Sequence, residues 1–264
     1  VMDAACAIEV RDLSVRFGGG AAASVLAVDN ASFTIVPGEF VSLVGPSGCG
    51  KTTILNLLTG LLAETPEGEA RVLGKAPRPG NPDIAYMLAR DSLMPWRTAL
   101  GNAVYGLEVR NVAKAERKAR ARALLARVGL GTFSDKYPKA LSHGMRQRCA
   151  LARTFVLDSP VFLMDEPFGA LDAQTKLQLE DVLMDLWSAD RKTVVFVTHD
   201  LAEAVALSDR VIVMSARPGR ILADVPIDLP RPRSIRALQN DPRFHTLYGR
   251  LWGLLEQGMA GHVH

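Results

Sequence analysis

The sequence predicts an α/β fold built on a parallel sheet, and three observations lead to it. Short apolar runs ending in polar residues recur along the chain, stretches with helical spacing separate them, and a glycine-rich loop directly follows one of the runs. Strands buried on both faces read as continuous apolar runs, and their alternation with helices is the pattern of a parallel sheet covered on both sides.

Taken in order, Ile8–Phe17 alternates well enough for a strand, and a small Gly/Ala loop follows at residues 18–23. Residues 31–36 read as a second strand, with Pro37-Gly38 as a turn. Phe40-Val41-Ser42-Leu43-Val44 is an apolar run bounded by Gly45, as a buried parallel strand requires. The helix after it places Ile54, Leu55, Leu57, Leu58 and Leu61 on one apolar face. Between about residues 65 and 87 the chain is rich in Gly and Pro, with short strand candidates at 70–73 and 84–87. From residue 98 to about 157 it turns to Ala, Leu and Arg at helical spacing, which predicts a helical subdomain. Strand signals return with Val161-Phe162-Leu163-Met164, Val194-Val195-Phe196-Val197 and Val211-Ile212-Val213-Met214. The tail from residue 217 holds Pro230-Arg231-Pro232 and a predicted helix over 242–256. No internal repeat or low-complexity segment is present.

A chain of 264 residues has room for one large α/β domain with a full core. Hydrophobic residues at 48% and charged residues at 22% are the balance of an ordinary soluble protein. Its longest apolar stretches are a few residues, far short of the roughly 20 that span a bilayer. Work at a membrane would therefore need a partner. The net charge of +3 argues neither for nor against nucleic acid or a membrane surface. Residues 1–10 lack the basic start and apolar centre of a signal peptide. Cys6, Cys49 and Cys149 are odd in number and lack metal-ligand spacing, so reduced thiols in a cytosolic protein are the simplest account.

Gly45-Pro46-Ser47-Gly48-Cys49-Gly50-Lys51-Thr52 fits G-x-x-x-x-G-K-[ST] without a mismatch. The glycines let several N–H groups face one anion at a helix N-terminus, whose dipole adds positive potential. Lys51 would reach β- and γ-phosphates, the Thr52 hydroxyl would hold Mg²⁺, and Thr53 follows in the same helical turn. Position after a buried strand and before a helix is the context this motif requires.

Val161-Phe162-Leu163-Met164-Asp165-Glu166 is an apolar strand ending in two carboxylates. At the C-terminal edge of a parallel sheet such residues project into the ligand crevice. Asp165 is the candidate to hold Mg²⁺ through water, and Glu166 to orient and polarise an attacking water. Read alone, the pair could equally be a solvated strand end. Thr198-His199-Asp200 ends another apolar strand, on the edge that already carries the phosphate loop, so His199 could reach a γ-phosphate.

Together these residues resemble the nucleotide-binding subunit of ABC transporters. Leu141-Ser142-His143-Gly144-Met145-Arg146-Gln147-Arg148 is similar to the family's LSGGQ signature, and Gly169-Ala170-Leu171-Asp172 to its D-loop. His199 matches the switch histidine, and Phe17 falls where the family stacks an aromatic on adenine. Order and spacing agree from about residue 8 to residue 215. The resemblance implies a RecA-like P-loop NTPase core with an N-terminal antiparallel β subdomain and an inserted α-helical subdomain. It makes residues 1–264 a single nucleotide-binding domain, with the helical subdomain at about 89–158 and a C-terminal extension at about 217–264.

Within that family, Leu93-Met94-Pro95-Trp96-Arg97-Thr98 and Asp228-Leu229-Pro230-Arg231-Pro232-Arg233 resemble the importers of nitrate, sulfonates and taurine. Trp96 reads equally as a core aromatic of the helical subdomain, and the Pro-Arg run as a linker. Three positions depart from the family pattern. Ala89 stands where the hinge glutamine is usual, and a methyl group can neither ligate Mg²⁺ nor bond a water. His143 and Met145 replace the third and fifth signature residues.

The resemblance further implies a head-to-tail pair, two chains sandwiching two ATP molecules, most simply a homodimer. Ser142, His143, Gly144 and Met145 of one chain would complete the site of the other. Transmembrane permease subunits, and through them a solute-binding protein, are the implied partners, and the cytoplasmic face of the inner membrane the implied location. No nucleic acid is expected. Two other readings stay open at this point. One is a regulatory or weakly hydrolysing subunit, suggested by Ala89, His143 and Met145. The other is a soluble ABC ATPase acting on nucleic acid, for which the basic stretch at residues 114–122 is the sole feature.

Overall fold

The computed structural model describes residues 6–18, 24–233 and 235–260. Residues 1–5 of the opening segment and 19–23 of the Gly/Ala loop lie outside the described residues. Along the chain the first elements are β1 (Ile8–Phe17), β2 (Val25–Ile35), β3 (Phe40–Val44), α1 (Lys51–Thr59), β4 (Glu67–Val72) and β5 (Ile84–Met87). Then come α2 (Ala99–Val109), α3 (Lys114–Arg127), α4 (His143–Phe155), β6 (Val161–Asp165), α5 (Ala173–Asp190) and β7 (Thr193–Thr198). The chain finishes with α6 (Leu201–Leu207), β8 (Arg210–Met214), β9 (Ile221–Pro226), α7 (Ile235–Leu238) and α8 (Pro242–Ala260). These form two compact units, one of the residues up to 81 with those from 192, the other of residues 82–191.

In the first unit β1 is the middle of an antiparallel sheet ordered β2-β1-β4. Its inward residues Ile8, Val10, Leu13 and Val15 are buried, and the alternation slips once, at Arg11 and Asp12. Asp12 has φ 49, and the register with β2 shifts between Val10 and Leu13, so the extra residue is a bulge. β2 begins at Val25, six residues before the strand expected from sequence. Its first half pairs with Val15, Arg16 and Phe17, but Asp29 and a left-handed Asn30 interrupt the apolar pattern that would announce it.

A second sheet of this unit sets β3 between β7 and β8, all parallel, with β9 antiparallel on the far side of β8. All five residues of β3 are buried, which explains its uninterrupted apolar run. Arg210 joins the ends of three strands: its guanidinium donates to Glu39 (2.9 Å), to Asp224 (2.8 Å) and to the Thr34 carbonyl (2.8 Å). β9 was not expected, because a six-residue stretch ending in Pro226 is a poor strand signal; at an edge, a missing N–H is tolerated. α1 stops earlier than expected. Gly60 takes φ 73 and the Leu61 N–H returns to the Asn56 carbonyl (2.8 Å), leaving Leu61 59% exposed rather than on the apolar face.

The Pro-Arg run of the tail is not a plain linker. Arg233 donates to the carbonyls of Ser208 (2.5 Å) and Leu229 (2.9 Å), and Arg231 to that of Leu207 (2.7 Å) and to Asp209 (2.8 Å). Two cations thus sit at the C-terminal end of α6, where the last carbonyls lack partners and the helix dipole favours positive charge. α8 extends to Ala260, past the expected residue 256, and packs on α6, β8 and β9 through buried Phe244 and Leu251.

In the second unit β5 runs parallel to β6, and α2, α3 and α4 pack around Leu100, Leu107, Ala121, Leu125, Leu130 and Ala152, with Leu186 of α5. Each large side chain so buried contributes about 1.5–3 kcal/mol. α3 offers this core little but Ala121 and Leu125; its arginines face outward or pair, Arg117 with Glu108 (3.3 Å) and Arg120 with Glu116 (3.5 Å). Cys149 is buried, and burial first of all pushes its thiol up to about 12. No disulfide forms among the described residues.

The turn before α2 is built on Asn102, which is fully buried. Its amide accepts from the Met94 N–H (2.7 Å) and donates to the carbonyls of Met94 (3.1 Å), Arg97 (3.1 Å) and Thr98 (3.0 Å). Thr98 caps α2 by accepting from the Gly101 N–H (3.1 Å). Trp96 stands out of this turn 73% exposed, so it is not a core aromatic. Asn102→Ala strands several backbone groups in a buried turn. It should lower unfolding free energy by about 2–3 kcal/mol, read as a lower urea midpoint at unchanged slope.

Candidate functional site: a phosphate loop and the strand ends beside it

The register of the parallel strands fixes where the loop begins. Val44 of β3 pairs with Thr198 of β7 on one side and Val213 of β8 on the other. Gly45 and His199 therefore leave the sheet side by side, at the same edge, from strands about 4.8 Å apart. Sequence alone placed both at strand ends; only the register makes the strands neighbours.

The loop itself is wound tightly. The Cys49 N–H donates to the Pro46 carbonyl (3.3 Å), and Gly50, at φ 98, turns the chain into α1. A Cβ at Gly50 would come within 2.6 Å of Val28 Cγ2, so conformation and space both require glycine. Lys51 is only 5% exposed, and its ammonium donates to the carbonyls of Gly45 (2.8 Å) and Pro46 (3.1 Å), closing the loop across its own chord. Burial raises the neighbouring Cys49 thiol despite the Lys51 charge. Pro46 is half-buried, and Ser47, Gly48 and Thr52 are exposed; Thr53 is half-buried in the first turn of α1.

α1 begins without a side-chain cap and with no acidic residue in its first turn. Its leading N–H groups and dipole are therefore offered to an external anion, with a lysine ammonium already inside the loop. This is a fit for the phosphates of a nucleotide. Mg²⁺ fits as a cation held mainly through phosphate and water, with one or two protein oxygens. No group of three or more His, Cys, Asp or Glu side chains among the described residues could hold a metal by itself.

His199 is exposed, and the residues around it fix its turn. The buried Thr198 hydroxyl donates to the Glu203 carboxylate and accepts from the Asp200 N–H (3.0 Å). Asp200 caps α6, accepting from the N–H groups of Ala202 (2.8 Å) and Glu203 (3.2 Å). Phe17 is the half-buried last residue of β1, paired with Val25.

The second unit holds the other candidates. Asp165 ends β6 almost fully buried; burial, and after it the Asp165 carboxylate, push the Tyr86 phenol above its usual range. Glu166 follows at φ 44, a left-handed conformation that costs a residue with a Cβ about 1–2 kcal/mol. Its carbonyl accepts from the Gly169 N–H (3.2 Å), beginning the turn that carries Gly169 to Asp172. Asp172 is exposed and caps α5 by accepting from the Thr175 N–H (2.9 Å); the bonds to Thr175 hold its carboxyl below the usual range.

Ser142 caps α4, its oxygen accepting from the Met145 N–H (3.2 Å), a bond that leaves the hydroxyl hydrogen uncommitted to the cap. His143 is exposed, Gly144 packs toward Thr175, and Met145 turns partly into the helical core. Ala89 is exposed in the loop after β5. Gln147 does more than fill the signature: it is buried, and its amide donates to the Pro167 carbonyl, tying α4 to the turn just after Glu166. A polar residue on the buried face of an otherwise apolar helical stripe was the available signal.

The family model described as "ABC transporter" matches residues 28–169. An ABC transporter ATP-binding protein of Methanocaldococcus jannaschii is 47% identical over 215 residues, 81% of this chain and 80% of its own length. The taurine import ATP-binding protein TauB of Rhizobium johnstonii is 38% identical over 252 residues, 94% and 96% of the two chains. The nitrate transport protein NasD of Klebsiella oxytoca is 40% identical over 244 residues, 91% and 92%. Among solved structures, the dimeric ATP-binding cassette MJ0796, in a post-hydrolysis state with ADP and Pi, matches with TM-score 0.73 and 30% identity. That match covers 84% of this chain and 100% of the other. With a P-loop NTPase core and these likenesses along nearly its whole length, the chain belongs to the ABC transporter family, as an ATP-binding subunit whose ATP hydrolysis is coupled to transport.

Proposed function

We propose that this subunit drives an importer of a small anionic or zwitterionic solute of the nitrate, sulfonate or taurine kind. The observation that carries the motor chemistry is the shared sheet edge, from which the phosphate loop and His199 emerge on neighbouring strands. Similarity to a taurine import protein and a nitrate transport protein over more than nine-tenths of the chain supports the solute class.

In this reading the loop N–H groups of Gly45, Ser47, Gly48, Gly50, Thr52 and Thr53 and the Lys51 ammonium bind the phosphates, with Cys49 closing the loop on Pro46 and Phe17 against the base. Thr52 and Asp165 would hold Mg²⁺, which would supply positive charge against that of the phosphates. Glu166, in the turn directly after β6, accepts a proton from the attacking water and orients it. His199 donates to the γ-phosphate as charge develops there. Ser142 and Gly144 of a second copy add donors in trans, with His143 and Met145 beside them and Asp172 at the junction. The solved cassettes that the chain resembles are dimers, which supports this pairing. Nucleotide binding favours the closed pair, and loss of the γ-phosphate removes the bridge that holds it.

No helix among the described residues is long and apolar enough to cross a membrane. In this reading the subunit docks on a permease, as the import and transport names of its relatives support. The exposed Trp96, held out by the Asn102-braced turn, is the natural contact for it, at the cytoplasmic face. An Arg97 guanidinium lies over the Tyr105 ring at 5.0 Å beside it, extending an aromatic surface suited to a helix of the partner. Purification of the chain from native membranes in detergent should bring down a multi-span permease and a solute-binding protein, whose ligand then names the solute. Recovery of ribosomal or DNA-repair proteins instead would sink the importer reading.

Glu166→Gln should keep ATP affinity and lower turnover by about 100-fold or more, measured as steady-state phosphate release. Lys51→Ala should raise the ATP dissociation constant, measured by nucleotide titration. Ala89→Gln restores a side chain able to bond water or Mg²⁺; if its absence limits catalysis, kcat rises in the same phosphate-release assay.

A further inference from the structure

The phosphate loop has a second flank. β8 pairs with β3 opposite to β7, so the segment after Met214 leaves the sheet alongside the loop, on the side away from His199. That segment is closed upon itself. The Ser215 N–H donates to the Arg220 carbonyl (2.9 Å), while the Ser215 hydroxyl donates to the Pro218 carbonyl (3.0 Å) and accepts from the Arg220 N–H (2.9 Å). It is also anchored to β2. The Gly219 N–H donates to the Ala27 carbonyl (2.9 Å), the Gly219 carbonyl accepts from the Asp29 N–H (3.0 Å), and Arg220 pairs with Asp29 (2.8 Å).

From this rigid turn two contacts reach the phosphate loop. The Arg217 guanidinium donates to the Gly48 carbonyl (3.3 Å). Gly219 packs so closely that a Cβ there would stand 1.8 Å from the Cys49 carbonyl oxygen, a distance no side chain could take without moving backbone. A trans peptide sends its N–H opposite its C=O. Holding the Cys49 carbonyl toward Gly219 therefore directs the Gly50 N–H to the opposite side, and Arg217 holds the preceding peptide plane, whose Cys49 N–H closes the loop on the Pro46 carbonyl (3.3 Å).

We infer that residues 215–220 are a brace for the phosphate loop, with Arg217 and Gly219 as positioning residues for nucleotide binding. The inference rests on the nucleotide-site reading of that loop and adds to it residues outside the loop motif. A glycine-rich loop has many conformations in which its N–H groups do not converge. Contacts that remove those conformations before the nucleotide arrives lower the ordering cost of binding. The brace thus acts on affinity first. The Ala216 N–H donates to the Gly258 carbonyl (3.4 Å), so the last turn of α8 rests on the same turn.

The test is fluorescent ATP-analogue titration and steady-state ATPase on the full chain, with Arg217→Ala, Arg217→Lys, Gly219→Ala and, as control, Lys51→Ala. Arg217 is exposed, so its replacement leaves the fold intact, to be verified by an unchanged melting temperature. Arg217→Ala should raise the dissociation constant about three- to tenfold, with KM rising more than kcat falls. Arg217→Lys, which keeps one donor, should recover most of that loss. Gly219→Ala should raise the dissociation constant further, because it displaces the Cys49 carbonyl itself. Dissociation constants for Arg217→Ala and Gly219→Ala within twofold of the parent, with binding lost in Lys51→Ala, would overturn the brace alone. Binding retained in Lys51→Ala would overturn the nucleotide-site reading, and the brace with it.

Discussion

Strand β3 is buried on both faces and paired in register along both edges, and the working parts of its unit take their places from it. A parallel strand in this position has no freedom to slip, because a shift of one residue would unmatch two ladders together and part the buried hydroxyls of Ser42 and Ser208, which meet at 2.5 Å. Val44 is thereby aligned with Thr198 and Val213, and the segments that follow each begin at one level of the sheet. The phosphate loop lies between a histidine on one neighbour and the 215–220 turn on the other. None of these positions is set by the loop's own sequence.

The helix starts of the chain divide into two kinds. α2, α4, α5 and α6 open on Thr98, Ser142, Asp172 and Asp200, each with a side-chain oxygen accepting a backbone N–H of the first turn. α1 opens on Gly50 and has no such oxygen. A hydroxyl or carboxylate there would satisfy the donors internally and compete with a phosphate for them. α3, opening on Ala113, also has no side-chain cap, but at α1 the loop's lysine supplies positive charge where a capping carboxylate would have supplied negative.

Much of this was legible in the sequence because it depends on local pattern. β1, β3 and β5, the helical stretch between residues 98 and 157 and the positions of the loop, the acidic pair and His199 all follow from periodicity and motif. What escaped depends on partners distant in sequence. The first half of β2 is hidden by Asp29 and Asn30, whose place is explained only by a bulge against β1. β9 exists because β8 presents an open edge. The hydrogen bonds of Asn102 and Gln147 could be suspected from polar residues on buried helix faces, yet not assigned to Met94 or Pro167. Trp96 shows the reverse error open to sequence reading, since an aromatic in an apolar helical region invites burial that the turn denies it.

The arginines at the end of α6 bear on where this cassette can be joined to anything else. A natural-looking place to end a shortened chain, or to attach a following domain, would be just after β9, where the last sheet strand closes. Arg231 and Arg233 lie beyond that point, yet they fill the carbonyl end of the helix that follows His199. A fusion junction or loop insertion between residues 227 and 233 would therefore disturb α6 from behind. The modular boundary of the motor lies past Arg233, not at the edge of its sheet.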